Sequence, residues 1–144
     1  GMVGGQMLDI AAETTASHDQ AEIEKIQRLK TGALIAHAAV SGAILAQTKP
    51  TDRQAIHDYA CDLGSAYQIA DDILDITGDE AETGKAVGKD AGAGKATFVD
   101  LLGLEGATVR AKELVDRACE RLSSFGPDAD ALRFAAQYTV SRRS

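Results

Sequence analysis

An all-α fold is what this sequence predicts, on three observations. Apolar residues recur at helical rather than alternating spacing along most of the 144 residues. Alanine is abundant while aromatic residues make up only 4%, which suits close-packed helices better than a sheet. Prolines number only two, and an apolar content of 44% against 26% charged is enough to bury a core and excludes a disordered chain. The length fits one ordinary domain.

The first helix is expected over Val3 to Ala12, entered through glycines, with Gln6 and Asp9 on one side. Gly4 and Gly5 would let another backbone approach closely. The opening phrase GMVGGQMLDI reads as the interior of a longer protein. Glu13 to Gln20 is polar and poorly periodic, hence a loop. From Glu22 to Thr48 runs a long helical pattern, with Ile23, Ile26, Leu29, Ala33, Leu34, Ala36, His37, Val40, Ile44 and Leu45 spaced for burial. Its small residues, Gly32, Ala39, Gly42 and Ala43 among them, offer a thin surface for tight crossing. Lys30-Thr31 marks the change from a charged to a nearly uncharged stretch, which puts Lys30 at the mouth of a buried region. Pro50 is expected to stop this helix, and Thr51 with Gln54 to form a capping box for the next.

The stretch Gly64 to Asp79, GSAYQIADDILDITGD, carries the chemistry. Gln68, Asp71, Asp72 and Asp75 fall at i, i+3, i+4 and i+7 and so share a helix face. Leu63, Tyr67, Ile69, Ala70, Ile73, Leu74 and Ile76 cover most of the remaining circumference, which places the helix inside a bundle. Three carboxylates in such surroundings repel one another and resist desolvation, and a bound cation is the simplest compensation. A hard ion such as Mg²⁺ takes one or two carboxylates, keeps several waters and shares substrate phosphates. Gly78 is a reasonable stop for this helix. Residues 79 to 97 read as a loop rich in glycine and lysine, with Lys85, Lys89 and Lys95. Acids that bind a cation, followed by a cationic flap, suit a polyanion held between them, a diphosphate above all.

Phe98 to Leu104 continues apolar, and Glu105 to Phe125 is a regular amphipathic helix with Val109, Leu114, Val115, Ala118 and Leu122 inward. Gly126-Pro127 breaks it. Asp128 or Asp130 then starts a last helix through Leu132, Ala135, Ala136 and Tyr138. The basic end, Ser141-Arg142-Arg143-Ser144, complements the dipole of that helix or reaches over an anionic substrate.

Several function classes are set aside. A net charge of -7 argues against a nucleic-acid surface, which needs a clustered basic face. No apolar run reaches the length of a membrane span, and no signal-peptide pattern is read. Cys61 and Cys119 lack metal-ligand spacing and are expected as free thiols in a reducing cytoplasm. The lysine loop is not a P-loop, because Lys89 stands where its first glycine belongs and Ala96 replaces the hydroxyl residue. Nor is Asp71 to Glu82 a calcium loop, since Gly78 is misplaced and Ile73-Leu74 interrupt the ligands.

Taken together, Gly5-Gln6-x-x-Asp9, Lys30-Thr31, Gln68-x-x-Asp71-Asp72-x-x-Asp75, Gly84-Lys85 and Gly94-Lys95 resemble the C-terminal half of the trans-prenyl diphosphate synthases, the polyprenyl synthetase family. The likeness is greatest to the bacterial farnesyl diphosphate synthase (geranyltranstransferase) type, and it covers essentially residues 1–144. It implies an isoprenoid-synthase-type helical bundle around a central cavity. It also implies Mg²⁺-dependent condensation of isopentenyl diphosphate with an allylic diphosphate, dimethylallyl or geranyl, to farnesyl diphosphate. By that resemblance Asp71, Asp72 and Asp75 match the second aspartate-rich motif, which holds the allylic diphosphate through Mg²⁺. Lys30, Lys85 and Lys95 match lysines on the same diphosphate, and Thr31 and Gln68 match polar residues near the allylic cation. Arg142 and Arg143 resemble a basic tail near the isopentenyl diphosphate site.

The family's first aspartate-rich motif and its isopentenyl diphosphate grip are missing from this sequence, in which Asp71 to Asp75 is the only DDxxD. The chain by itself is therefore expected to be inactive, one part of the synthase domain, and to act as a homodimer or with the N-terminal half. The residues that set product length in the family lie near the missing motif. A geranylgeranyl or longer polyprenyl diphosphate synthase is the alternative, and a non-catalytic partner subunit is the alternative of another class.

Overall fold

The computed structural model describes residues 1–12, 20–77 and 97–142, and every element in them is helical. In chain order these are α1 (Met2–Ala12), α2 (Gln20–Gln27), a π-helical turn (Arg28–Gly32), α3 (Ala33–Leu45), α4 (Pro50–Thr77), α5 (Phe98–Arg121), a 3₁₀ stretch (Ser123–Ala129) and α6 (Asp130–Ser141). The all-α expectation holds. Among the described residues no helix is long and apolar enough to cross a membrane.

α4 is the axis. It packs along α5 on one side and along the α2–π–α3 rod on the other. Tyr59, Ala60, Ala66 and Ile69 of α4 form the core with Phe98, Ala107, Ala111, Leu114, Val115 and Ala118 of α5, together with Ile23, Leu122 just past α5, Ala129 and Ala136. Alanines at the contact let the helix axes come close, as the composition suggested. Two polar ties fix the geometry. The Tyr59 hydroxyl donates to the Leu132 carbonyl at 2.7 Å, joining α4 to α6, and burial pushes its pKa up to about 12. Arg117 of α5 grips the buried carboxylate of Asp62 with two bonds, at 3.0 and 2.5 Å, and this pairing holds the guanidinium pKa above its ordinary value.

The rod runs antiparallel to α4. Thr31 meets Gln68 and Gln27 meets Asp72, while a side chain added at Gly64 would touch the Gly32 Cα at 3.0 Å and Ile35 at 3.7 Å. α1 lies across the π turn, and there Gly5 is indispensable: a Cβ on it would stand 2.6 Å from the Leu29 carbonyl carbon and the Lys30 Cα. Gly4, expected to share this role, has nothing within 4 Å and is exposed.

Other expectations change at helix ends. Pro50 opens α4 rather than stopping its predecessor, since its missing N–H costs nothing in the first turn. Thr51 and Gln54 therefore lie inside the helix and form no capping box; Thr51 lies 3.5 Å from Asp52 and Gln54 donates to Asp58 at 2.8 Å. α3 ends instead in a Schellman arrangement, with Thr48 N–H on the Ala43 carbonyl, Gln47 N–H on the Ile44 carbonyl, and Gln47 at φ 53°. The division expected between Phe98–Leu104 and the helix after it is present as a kink within α5, where Gly103 leaves helical geometry at φ 70° and ψ 165°.

Some residues expected inward are exposed. Leu34, Ile44 and Leu45 face outward, as does Val109, because the buried stripe of α5 runs through Ala107, Ala111, Leu114, Ala118 and Leu122. On α6 the buried positions are Ala136 and Thr139, while Leu132 and Tyr138 are open. Val3, Met7 and Ile10 of α1 are also exposed. Cys61 and Cys119 are free thiols, and burial pushes both upward.

Candidate functional site

Of the predicted residues, those described, Lys30, Thr31, Gln68, Asp71, Asp72, Asp75 and Arg142, lie along the crossing of α4 with the π turn and at the end of α6 beside it. The π turn is the local cause. Closing i→i+5 widens the helix by one residue, and it falls at Arg28–Gly32, so Lys30 and Thr31 both sit inside it. Such turns cluster at functional sites. Gly5 from α1 and Gly64 from α4 press on it, fixing where its side chains emerge. Lys30 leaves toward α1 and pairs with Asp9, its side chain 31% exposed. Thr31 leaves toward α4 and donates to the Gln68 side-chain oxygen at 3.2 Å.

One turn further along α4 the three acids part company. Asp71 is open, its side chain 57% exposed, and accepts from Arg142 at 3.3 Å. Asp75 lies four residues on, partly exposed. Asp72 is turned inward and buried. One of its oxygens accepts the Phe98 backbone N–H at 3.0 Å and faces the Gln27 amide at 3.5 Å. Phe98 is the first residue of α5, whose N–H has no partner within its own helix. The same helix start carries a capping box: the Thr97 hydroxyl accepts from Asp100 N–H at 3.1 Å, and the Asp100 carboxylate accepts Thr97 N–H at 2.9 Å.

Arg142 closes the arrangement from the end of α6. Its guanidinium lies over the Tyr67 ring, 4.3 Å from the centroid, while one nitrogen reaches Asp71. An arginine over an aromatic face is held by cation–π attraction. The sequence reading had Tyr67 only as an apolar wall, and Gln27 not at all. The four-residue spacing of Gln27 and Thr31, matched by Gln68 and Asp72 on α4, was the signal available. Lys85, Lys95 and Arg143, like Lys89 and Gly78, lie outside the described residues.

The acids fit a hard divalent ion of the kind that shares its coordination with substrate. Asp71 and Asp75 offer carboxylate oxygens from one face, one helical turn apart. Among the described residues no three carboxylate, imidazole or thiol groups gather to hold an ion by themselves. Mg²⁺ needs only one or two carboxylates when waters and phosphate oxygens complete its octahedron.

Known proteins share this sequence and shape. The profile of the polyprenyl synthetase family matches residues 1–129. The farnesyl diphosphate synthase of Escherichia coli (strain K12) is 42% identical over 147 aligned residues, covering 99% of this chain and 48% of that protein. The crystal structure of an FPP/GFPP synthase from Zymomonas mobilis superposes with a TM-score of 0.81 at 43% identity, over 97% of this chain and 45% of that one. A geranyltransferase from Helicobacter pylori, solved with magnesium and isoprenyl diphosphate, gives a TM-score of 0.78 at 29% identity, over 98% of this chain and 46% of its own. The chain spans about half the length of the curated relatives it matches. With the family profile extending over most of its residues, the chain belongs to the polyprenyl synthetase family.

Proposed function

We propose that this chain is the C-terminal part of a trans-prenyl diphosphate synthase domain. The reaction is the Mg²⁺-dependent condensation of isopentenyl diphosphate with dimethylallyl or geranyl diphosphate to farnesyl diphosphate, in the cytoplasm. The observation that carries the reading is the face of α4 on which Gln68, Asp71 and Asp75 follow one another beside the π turn of Lys30 and Thr31. Asp71 and Asp75 hold the metal that carries the allylic diphosphate. Lys30, with Lys85 and Lys95, takes up charge on the departing diphosphate. When bound, Mg²⁺ neutralises negative charge on that leaving group. In this reading Thr31 and Gln68, joined by a hydrogen bond, are the polar pair that stabilises the positive charge developing on the allylic carbons. Arg142 and Arg143 serve the isopentenyl diphosphate.

The remaining ligands, the first aspartate-rich motif among them, come from the N-terminal half. The isolated chain is therefore inactive and works as a homodimer or joined to that half. The exposed Val3, Met7 and Ile10 of α1 support a covering partner. Calorimetry with inorganic diphosphate tests the core of the reading. Binding should require Mg²⁺ and fall at least tenfold in Asp71→Ala. Equal binding in the variant, or none in a folded sample, would sink it.

A further inference from the structure

Asp72 carries a feature that the metal reading does not use. It stands between the exposed Asp71 and the partly exposed Asp75, yet it is buried and one of its oxygens accepts a backbone N–H from another helix. The first N–H groups of α5 have no partners within α5. The Thr97 hydroxyl takes one of them, at Asp100, and Asp72 takes that of Phe98. A negative charge at this end is also favoured by the α5 dipole. The same oxygen faces Gln27, the last residue of α2 before the π turn. One side chain thus ties α2, α4 and α5 at a single point, one residue from Asp71 and one turn from Gln68.

We propose that Asp72 is a positioning residue and not a metal ligand. It sets the start of α5, where the lysine-bearing stretch rejoins the described chain, and the entry to the π turn of Lys30 against the helix that presents Asp71 and Asp75. The inference rests on the reading of that face as a metal–diphosphate site and gives its third acid a separate task. The ion is left two carboxylates, a number Mg²⁺ accepts when diphosphate supplies further oxygens.

Isosteric substitution separates the two roles. The side-chain oxygen of asparagine can accept the Phe98 N–H as the carboxylate does, but it is a far poorer ligand for a hard cation. Asp72→Asn, Asp72→Leu and Asp71→Asn are compared with the unaltered chain in three measurements: melting temperature without metal, hydrogen exchange at the Phe98 amide, and Mg²⁺-dependent binding of inorganic diphosphate. Asp72→Asn should melt within about 3 °C of the unaltered chain, keep the Phe98 amide protected and bind diphosphate within about threefold. Asp72→Leu should melt roughly 5 °C or more lower, because a buried N–H is left unsatisfied, and expose that amide. Asp71→Asn should lose at least tenfold in binding with little change in melting. A loss in Asp72→Asn as large as in Asp71→Asn, with Phe98 still protected, overturns the proposal. If the unaltered chain shows no Mg²⁺-dependent binding, the proposed function falls. Phe98 protection then decides alone: retained in Asp72→Asn and lost in Asp72→Leu supports the tie, and equal protection in both overturns it.

Discussion

Adjacent glycines in α1 should respond to the same substitution with opposite sign. Gly4→Ala adds a methyl where nothing lies within 4 Å. The only change there is a better helix former with fewer unfolded conformations, a gain of about 0.5–1 kcal/mol. Gly5→Ala brings the same gain but puts the methyl 2.6 Å from the Leu29 carbonyl carbon and the Lys30 Cα. Carbon atoms rest at about 3.5–4.0 Å, so α1 must retreat by roughly 1 Å, and backbone cannot rotate aside as a side chain could. Overpacking of this kind costs about 1–3 kcal/mol, and the upper half of that range applies against backbone. The net for Gly5→Ala is a loss of about 1–2 kcal/mol, some 2–3 kcal/mol below Gly4→Ala. At roughly 3 °C per kcal/mol for a chain of this size, the two variants should melt about 6–9 °C apart by far-ultraviolet circular dichroism. Retreat of α1 also draws Asp9 from Lys30, so Gly5→Ala should weaken Mg²⁺-dependent diphosphate binding while Gly4→Ala leaves it alone. If Gly5→Ala melts at or above Gly4→Ala, the close crossing of α1 on the π turn is wrong.

Further expectations concern the ties around α4. Tyr59 ionises near 10 in the unfolded chain and only near 12 when folded, so its contribution is intact below pH 10 and is lost as pH rises from 10 to 12. That amounts to about 2–3 kcal/mol; Tyr59→Phe should remove this slope from alkaline denaturation curves and cost about 1 kcal/mol at neutral pH through the lost bond to Leu132. Gln47→Gly should stabilise by about 1 kcal/mol in urea denaturation, because Gln47 holds a left-handed conformation at φ 53°; a neutral or negative result would place the end of α3 elsewhere. Arg117→Gln should cost about 1–2 kcal/mol, since among the described residues it leaves the buried Asp62 with Arg121, at 3.6 Å. Adding Asp62→Asn should recover part of that loss, as a double-mutant cycle would show.

Much of this was legible in the residues, and the exceptions have physical causes. Helical period and small residues placed α4 and the rod beside it, and i, i+3, i+4, i+7 spacing marked Gln68, Asp71, Asp72 and Asp75 as neighbours on one helix. The pattern could not show that Asp72 departs from its neighbours. Its direction depends on where the chain returns as α5, a contact across 26 positions of sequence. Arg142 was read as complementing the dipole of its helix or reaching over an anionic substrate, but its contact with Asp71 spans 71 positions. Pro50 was misassigned because proline both follows helices and begins them. The deciding residue was Gln47, which adopts the conformation that glycine would have advertised. Leu34, Ile44 and Leu45 fall at apolar positions of the helical period and yet are exposed, because period alone does not say which side of the rod meets α4.

The π turn absorbs one residue of chain length without loss of register. Four residues along an α-helix overshoot a full rotation by about 40°, so a row of contacts taken every fourth residue drifts around the rod. A turn wider by one residue takes that drift back, and Gln27, Thr31 and Ile35 stay in line against Asp72, Gln68 and Gly64. Removing one residue between 28 and 32 would restore an ordinary turn and leave α3 in phase, because the seven α-helical residues then joining Gln27 to Ile35 turn through about 700°, close to two full rotations. What such a deletion disturbs is the turn itself, where Lys30 and Thr31 emerge. A residue removed from α3, where no wide turn absorbs it, would instead swing everything after it by about 100°. The rod tolerates a change of length at the turn and nowhere else along its contact with α4.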